Sequence, residues 1–83
     1  MLYYLILFKS LTYAQRANRA LRDGGVTSTI ARVPESISTE GCGYSVKVAE
    51  KHYNNAVRLL RDAGFSIGRV FLQGRGGRLS EVY

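Results

Sequence analysis

Two segments with the residue spacing of amphipathic α-helices divide this chain, and β-prone runs lie before, between and after them. The first segment begins after Ser10 or Thr12, either of which can cap a helix, and ends at Gly24. The residues on its apolar stripe are Leu11, Ala14, Ala17, Ala20 and Leu21. The second segment covers about residues 49–63 and ends at Gly64. Because glycine adopts positive φ without steric cost, it often ends a helix, and the pattern predicts two helices.

Four β-prone runs complete the pattern. Residues 3–8 are continuously apolar, which is typical of a central strand covered on both faces. Residues 26–33 are rich in β-branched side chains and end at Pro34, residues 44–48 alternate between apolar and polar, and residues 65–72 supply a fourth run. The order β-α-β-β-α-β predicts an α+β, ferredoxin-like two-layer sandwich. Its four-stranded antiparallel sheet would carry both helices on one face.

Length and composition favour a single domain. The chain has 83 residues, of which 46% are hydrophobic, enough for one core. We expect residues 1–73 to form this domain and residues 74–83 to form a basic flexible tail, because the tail is rich in glycine and arginine. The N-terminal apolar run stops at Lys9, well short of the ~20 residues of a membrane helix. With one cysteine and no recognisable leader, a cytoplasmic protein without membrane association is expected.

Cys42 is the single cysteine, and it lies between Gly41 and Gly43. Neither neighbour has a side chain to cover the sulfur, which favours an exposed working thiol. Free cysteine is also among the most often buried residue types, which favours a small apolar plug. The glycines have two interpretations as well, since they either supply positive φ for a turn or leave room for a partner to reach the sulfur. The local sequence leaves both pairs of alternatives open.

The predicted topology brings Cys42 towards Lys9 and Ser10. The first and third strands would be antiparallel neighbours, so the start of the third lies beside the end of the first. The first-turn amides of a helix that opens at Ser10 and the ammonium of Lys9 both favour negative charge. We therefore expect the thiol pKa to fall below its free value of ~8.5, giving a thiolate that attacks a sulfur donor or holds a persulfide. Glu40 opposes this shift unless its carboxylate points to water, where its charge is screened.

The residues needed for a complete catalytic site do not occur together in the sequence. His52 is the single histidine, and we predict it on the second helix, near the edge of the sheet far from Cys42. One cysteine and one histidine also fall short of the four ligands of a structural zinc site. We therefore expect no metal, no permanently bound cofactor and no catalytic triad. A thiol exchanged between proteins fits these residues better.

The chain resembles the DUF3343 family, small domains described as selenium/sulfur carrier-like, over about residues 3–72. The residues that carry the resemblance are Phe8, Ser10, Ala14, Gly25, Val26, Pro34, Ile37, Ser38, Thr39, Cys42 and Gly43. The resemblance implies that Cys42 is the carrier residue. It would hold sulfur as a persulfide, or selenium as a selenosulfide, and pass it from donor to acceptor proteins.

Two other functions stay open. The net charge of +6 and the tyrosines of the first and third strands are also features of basic RNA-recognition modules. The third strand, however, supplies Tyr44 alone, and its alternation with Val46 turns it towards the core. The other alternative is a non-catalytic interaction domain. The first strand is apolar on both faces and one sheet face carries no helix, so a homodimer through the open face is expected.

Overall fold

The computed structural model describes residues 2–34 and 43–82 of this chain. These residues form a mixed α+β domain with two helices and a five-stranded antiparallel sheet. The strands and helices in chain order are β1 (Tyr3–Phe8), α1 (Leu11–Asp23), β2 (Ser28–Arg32), β3 (Tyr44–Ala49), α2 (Tyr53–Asp62), β4 (Val70–Gln73) and β5 (Leu79–Glu81). Short 3-10 turns cover Glu50–His52 and Arg75–Gly77.

The sheet is built around β1, and the strand order is β2-β3-β1-β4-β5. On one side β1 pairs with β3, with Phe8 opposite Tyr44, and on the other side it pairs with β4, with Ile6 opposite Val70. The predicted central position of the first strand is confirmed. Because both partners are antiparallel to β1, the starts of β3 and β4 lie at the end of β1.

The fifth strand corrects the expectation of four. β5 pairs with β4, with Leu79 opposite Gln73, and therefore uses part of the segment 74–83 that we expected to be a tail. Gly76 and Gly77 have φ of 71° and 78°, and these left-handed conformations turn the chain back onto β4. A strand of three residues shows almost no alternation, so the sequence pattern missed it. The domain boundary at residue 73 and the flexibility of the tail stay predictions.

β4 also begins later than predicted, because residues 65–69 do not belong to the strand, although the Arg69 carbonyl accepts from the Leu7 amide of β1 at 3.0 Å. The amide of Phe65 donates to the Leu60 carbonyl at 2.9 Å, and Gly64 has a φ of 92°. This closes the end of α2 and directs the chain away from the sheet. Phe65 and Ile67 still pack against the core from this irregular segment, which explains why its apolar pattern resembles that of a strand.

α1 begins as the sequence predicts, with Ser10 as its cap. The Ser10 hydroxyl accepts a hydrogen bond from the Tyr13 amide at 3.2 Å, and Ser10 has the extended backbone of an N-cap. The buried residues of the helix are Ala14, Ala17 and Leu21, as predicted. Leu11 is 41% exposed, so its predicted place on the buried stripe is wrong.

The core has two parts, one on each face of the sheet. Buried residues of both helices pack with the β1 side chains Ile6 and Phe8 on one face. The members of the smaller cluster, which includes no helix residue, are Leu5, Leu7, Val33, Phe71 and Leu79. Leu5 and Leu7 are only 4% and 5% exposed, which confirms a first strand covered on both faces. Leu5 and Leu7 are therefore not part of the exposed apolar patch on which the predicted homodimer depends. The homodimer stays a prediction.

Arg69 and Glu81 hold β5 at the edge of the sheet. The guanidinium donates to both carboxylate oxygens, Nε to Oε2 at 2.8 Å and Nη2 to Oε1 at 3.2 Å. The hydrogen bond from Arg69 lowers the pKa of Glu81 below its ordinary value of 4.5. Beside this pair, the Val82 amide donates to the Val70 carbonyl at 2.9 Å and ties the end of β5 to β4.

Removal of the α1 cap should destabilise the domain. We expect Ser10→Ala to lower the free energy of unfolding by ~1 kcal/mol, because the Tyr13 amide loses its acceptor. Thr12→Ala is the matched control, since Thr12 is exposed and the Ser10 side chain provides the cap. Urea unfolding of both variants measures the difference. Equal losses in the two variants would contradict the assignment of Ser10 as the cap.

The attachment of β5 should weaken in acid. A carboxyl whose pKa is lowered by folding stabilises the folded state above its ordinary pKa, and this contribution disappears as the pH falls through the lowered value. We expect the hydrogen-exchange protection factor of the Val82 amide to decrease as the pH falls below 4.5, before the amides of β1 lose protection. Glu81→Gln should lower this protection already at pH 7 and remove its pH dependence. If Val82 protection has the same pH dependence in the native chain and in Glu81→Gln, the proposed role of the ion pair is wrong.

Candidate functional site

The end of β1 and the starts of β3 and β4 lie at the same end of the strands. We call this end of the sheet the upper edge. Cys42 and Gly41 lie outside the described residues, so their predicted positions stay predictions. Gly43 is described, and its carbonyl accepts from the Val33 amide at 3.1 Å. Since Tyr44 is opposite Phe8, the antiparallel register carries Gly43 to the level of the residue that follows Phe8. The backbone next to Cys42 therefore enters the sheet at the upper edge.

The predicted supporting residues Lys9 and Ser10 also lie at the upper edge. Lys9 is exposed, and Ser10 is half-buried with its hydroxyl engaged in the α1 cap. The first turn of α1 contains no acidic residue. The positive end of the helix dipole and the Lys9 ammonium therefore both favour an anion at this position. The sequence predicted this pairing of a cation with a helix start from adjacent residues.

Gly43 does not have the backbone conformation that requires glycine. It is not among the glycines with positive φ, so the turn interpretation of this residue is wrong. Within residues 2–34 and 43–82, a Cβ atom built on Gly43 would meet no other atom within 4 Å. None of these described residues fills the space beside Gly43.

His52 lies at the end of the sheet opposite Gly43, but in the turn that precedes α2 and not on the second helix, where we predict it from the sequence. It follows β3 in the turn Glu50–His52, whereas Gly43 precedes β3. Six strand residues at ~3.4 Å each separate the two ends by roughly 20 Å. Within residues 2–34 and 43–82, no group of three His, Cys, Asp or Glu side chains is arranged to hold a metal ion. In the same residues, no helix has the length and apolar character needed to cross a membrane.

A groove that the sequence pattern did not predict opens at the upper edge. It has a volume of about 720 Å³ and lies between the start of α1 and the segment that joins α2 to β4. Its apolar lining residues include Phe8, Tyr13, Phe65 and Ile67, and its cationic ones are Lys9, Arg16 and Arg69. The pattern of residues 65–72 predicts a strand there, and the groove is instead lined by residues 64–69 of the irregular segment before β4. The signal that could have revealed it is Gly64 and Gly68, which bracket a short apolar segment.

The aromatic side chains of the sheet do not form an open stacking surface. Tyr44 packs against the helix-side core, as its alternation with Val46 predicts. On the other face, the Lys47 ammonium lies 4.3 Å from the Tyr3 ring centroid, and Phe71 is only 4% exposed, with the Arg69 guanidinium 5.0 Å from its ring. RNA-recognition modules, in contrast, stack bases on aromatic rings that are exposed on the sheet face. The nucleic-acid alternative therefore receives no support from the described sheet face.

Comparison with known proteins identifies the family of the chain. The family described as "Putative Se/S carrier protein-like" matches residues 3–72, the same range over which the sequence motifs resemble it. No curated protein and no solved structure matches the chain significantly. The match covers most of the chain, from β1 into β4. We conclude that the chain belongs to this Se/S carrier protein-like family, DUF3343.

Proposed function

We propose that this protein carries sulfur or selenium on Cys42 and passes it between partner proteins. The observation that supports this most directly is the position of the adjacent residue. Gly43 lies at the upper edge, where the Lys9 side chain is exposed and no described residue would contact a Cβ on Gly43. The family description points to the same cargo. A reducing cytoplasmic compartment would keep a lone thiol available for this purpose.

The surroundings of the upper edge favour a thiolate. The positive end of α1 carries no acidic residue in its first turn, and Lys9 follows directly after β1. Both stabilise a negative charge and would lower the pKa of a nearby thiol. We propose that Cys42 benefits from this field, whereas His52 at the far end of β3 takes no part.

The transfer we propose needs no oxidant and no reductant. The Cys42 thiolate attacks the terminal sulfur of a persulfide on the donor protein. A new sulfur–sulfur bond forms on Cys42, the sulfur–sulfur bond of the donor breaks, and the donor cysteine leaves as a thiolate. Delivery to an acceptor thiolate repeats these steps in reverse, so the carrier needs a nucleophile and access but no general base.

We also propose the ferredoxin-like arrangement for the unit from β1 to β4. Its support is the antiparallel pairing of β1 with β3 and β4, and of β3 with β2. The helices α1 and α2 pack with the same core cluster on one face of the sheet. In this arrangement β5 is an addition beyond β4.

The carrier proposal predicts a covalent adduct. After incubation with a cysteine desulfurase and cysteine, we expect the native chain to gain the mass of one sulfur atom, because Cys42 accepts the persulfide sulfur. Intact mass spectrometry before and after reduction with dithiothreitol measures the adduct, which reduction should remove. Cys42→Ser is the control and should gain nothing. An adduct on both chains, or on neither, would contradict the proposal.

Access to the thiol should depend on Gly43. We expect Gly43→Ala to leave the free energy of unfolding unchanged or to raise it by up to ~1 kcal/mol, because the φ of Gly43 is not positive and no atom of residues 2–34 and 43–82 outside its chain neighbours lies near the new methyl group. Loading from the desulfurase should slow severalfold, since the methyl group occupies the space through which a partner approaches. Alkylation of Cys42 by iodoacetamide, a small reagent, should change little.

Gly74→Ala is the matched control for this experiment. Gly74 follows Gln73, which lies opposite Tyr3 at the other end of the sheet. A Cβ atom added to Gly74 would be 3.7 Å from the Leu2 Cδ2 atom, which is an ordinary contact. Its loading rate should equal that of the native chain. If Gly43→Ala loads as fast as Gly74→Ala, the proposed role of Gly43 is wrong.

A further inference from the structure

We infer that the groove at the upper edge is the docking site for an acidic segment of a partner protein that presents an apolar side chain between carboxylates. The inference deepens the proposed carrier function, because that function identifies the partner as a protein that gives sulfur to Cys42 or takes it away. The groove itself, its charge and its neighbours argue for this occupant.

The shape and lining of the groove suit an apolar side chain. Its volume of about 720 Å³ is in the range of natural binding clefts. Phe8 at the end of β1 meets Phe65 edge-on, with ring centroids 6.0 Å apart, and both line the groove together with Ile67. These side chains belong to the core and are held in place by it, so the apolar floor is already formed. A preformed floor reduces the entropy cost of binding.

The charges around the floor select an acidic partner. Lys9, Arg16 and Arg69 line the groove, and among the described residues no Asp or Glu does. Arg69 is held by Glu81, whereas Lys9 and Arg16 are exposed and form no ion pair within residues 2–34 and 43–82. Two available cations beside an apolar floor complement carboxylates that flank an apolar side chain.

One of the exposed apolar side chains of α1, that of Tyr13, lines the same groove. Leu11 and Tyr13 are 41% and 54% exposed, and they are two of the three large hydrophobic residues exposed in the described part of the chain. Both belong to the first turn of α1, and Tyr13 lines the groove. Exposed apolar side chains beside a cleft extend the surface that a protein segment can cover. A small inorganic anion would leave the Tyr13 side chain and the apolar floor without contacts.

The position of the groove connects docking with transfer. It lies on the β4 side of the end of β1, and Gly43 lies on the β3 side of the same end. A segment seated in the groove would thus bring the body of its protein to the upper edge, where the chain leads to Cys42. Binding here would hold the partner's thiol close to Cys42 and raise the effective concentration of one thiol at the other.

Titration of the isotope-labelled chain with a short synthetic peptide, Leu-Phe flanked by glutamates on both sides, tests the inference by nuclear magnetic resonance. We expect the largest amide shifts at Lys9, Tyr13 and residues 64–68. Arg16→Glu should weaken binding about fivefold to tenfold, because an attractive contact becomes repulsive. Arg19→Glu is the matched control, since Arg19 is exposed on the same helix but does not line the groove, and it should have less than a twofold effect. Replacing the peptide's Leu-Phe with Ala-Ala should weaken binding as well.

Each outcome separates the docking site from the carrier function. Equal losses for Arg16→Glu and Arg19→Glu, or shifts spread over the whole basic surface, would overturn the docking site even if Cys42 accepts sulfur. If the peptide binds at the groove but Cys42 accepts no sulfur, the docking site is supported and the carrier function is refuted. If single-stranded RNA shifts the groove amides and the acidic peptide does not, the inference is wrong and the nucleic-acid alternative gains its first support.

Discussion

The rest of the structure depends on the double pairing and two-sided burial of β1. Leu5, Ile6, Leu7 and Phe8 are all buried, and full burial of each such side chain contributes ~1.5–3 kcal/mol. Alternation sends them to opposite faces, so one strand supports both the helix-side core and the smaller cluster. The same strand pairs with β3 on one side and β4 on the other. Its end therefore determines where both neighbours begin.

That arrangement concentrates chemistry at the upper edge. The cap of α1, the exposed Lys9 side chain, Gly43 and the groove floor all lie in space at the end of β1. The opposite end of the sheet holds His52 and Gly74. The carrier proposal and the docking proposal both rest on this concentration of positive charge and apolar surface at one end of the sheet.

The short-range features of the fold could be predicted from the sequence, and those that depend on distant contacts could not. Ser10 and Gly24 mark the ends of α1, because capping acts within one turn. Residues 65–69 were mistaken for strand because Phe65 and Ile67 are apolar for a different reason, namely contact with the core from an irregular segment. β5 was missed because pairing with β4 stabilises three residues that show no pattern of their own. The position of Lys9 and Ser10 beside the start of the third strand could thus be predicted from the sequence, but the groove could not.

The sequence by itself determined the helices, the central strand and the single thiol between two glycines, because periodicity, capping and residue chemistry are local properties. The tertiary structure decided that Phe65 and Arg16, far apart in the chain, line one groove, and that Gly43 enters β3 without positive φ. These outcomes depend on how the segment between α2 and β4 packs beside β1. Such packing is a balance among contacts between distant residues, and no local pattern records it.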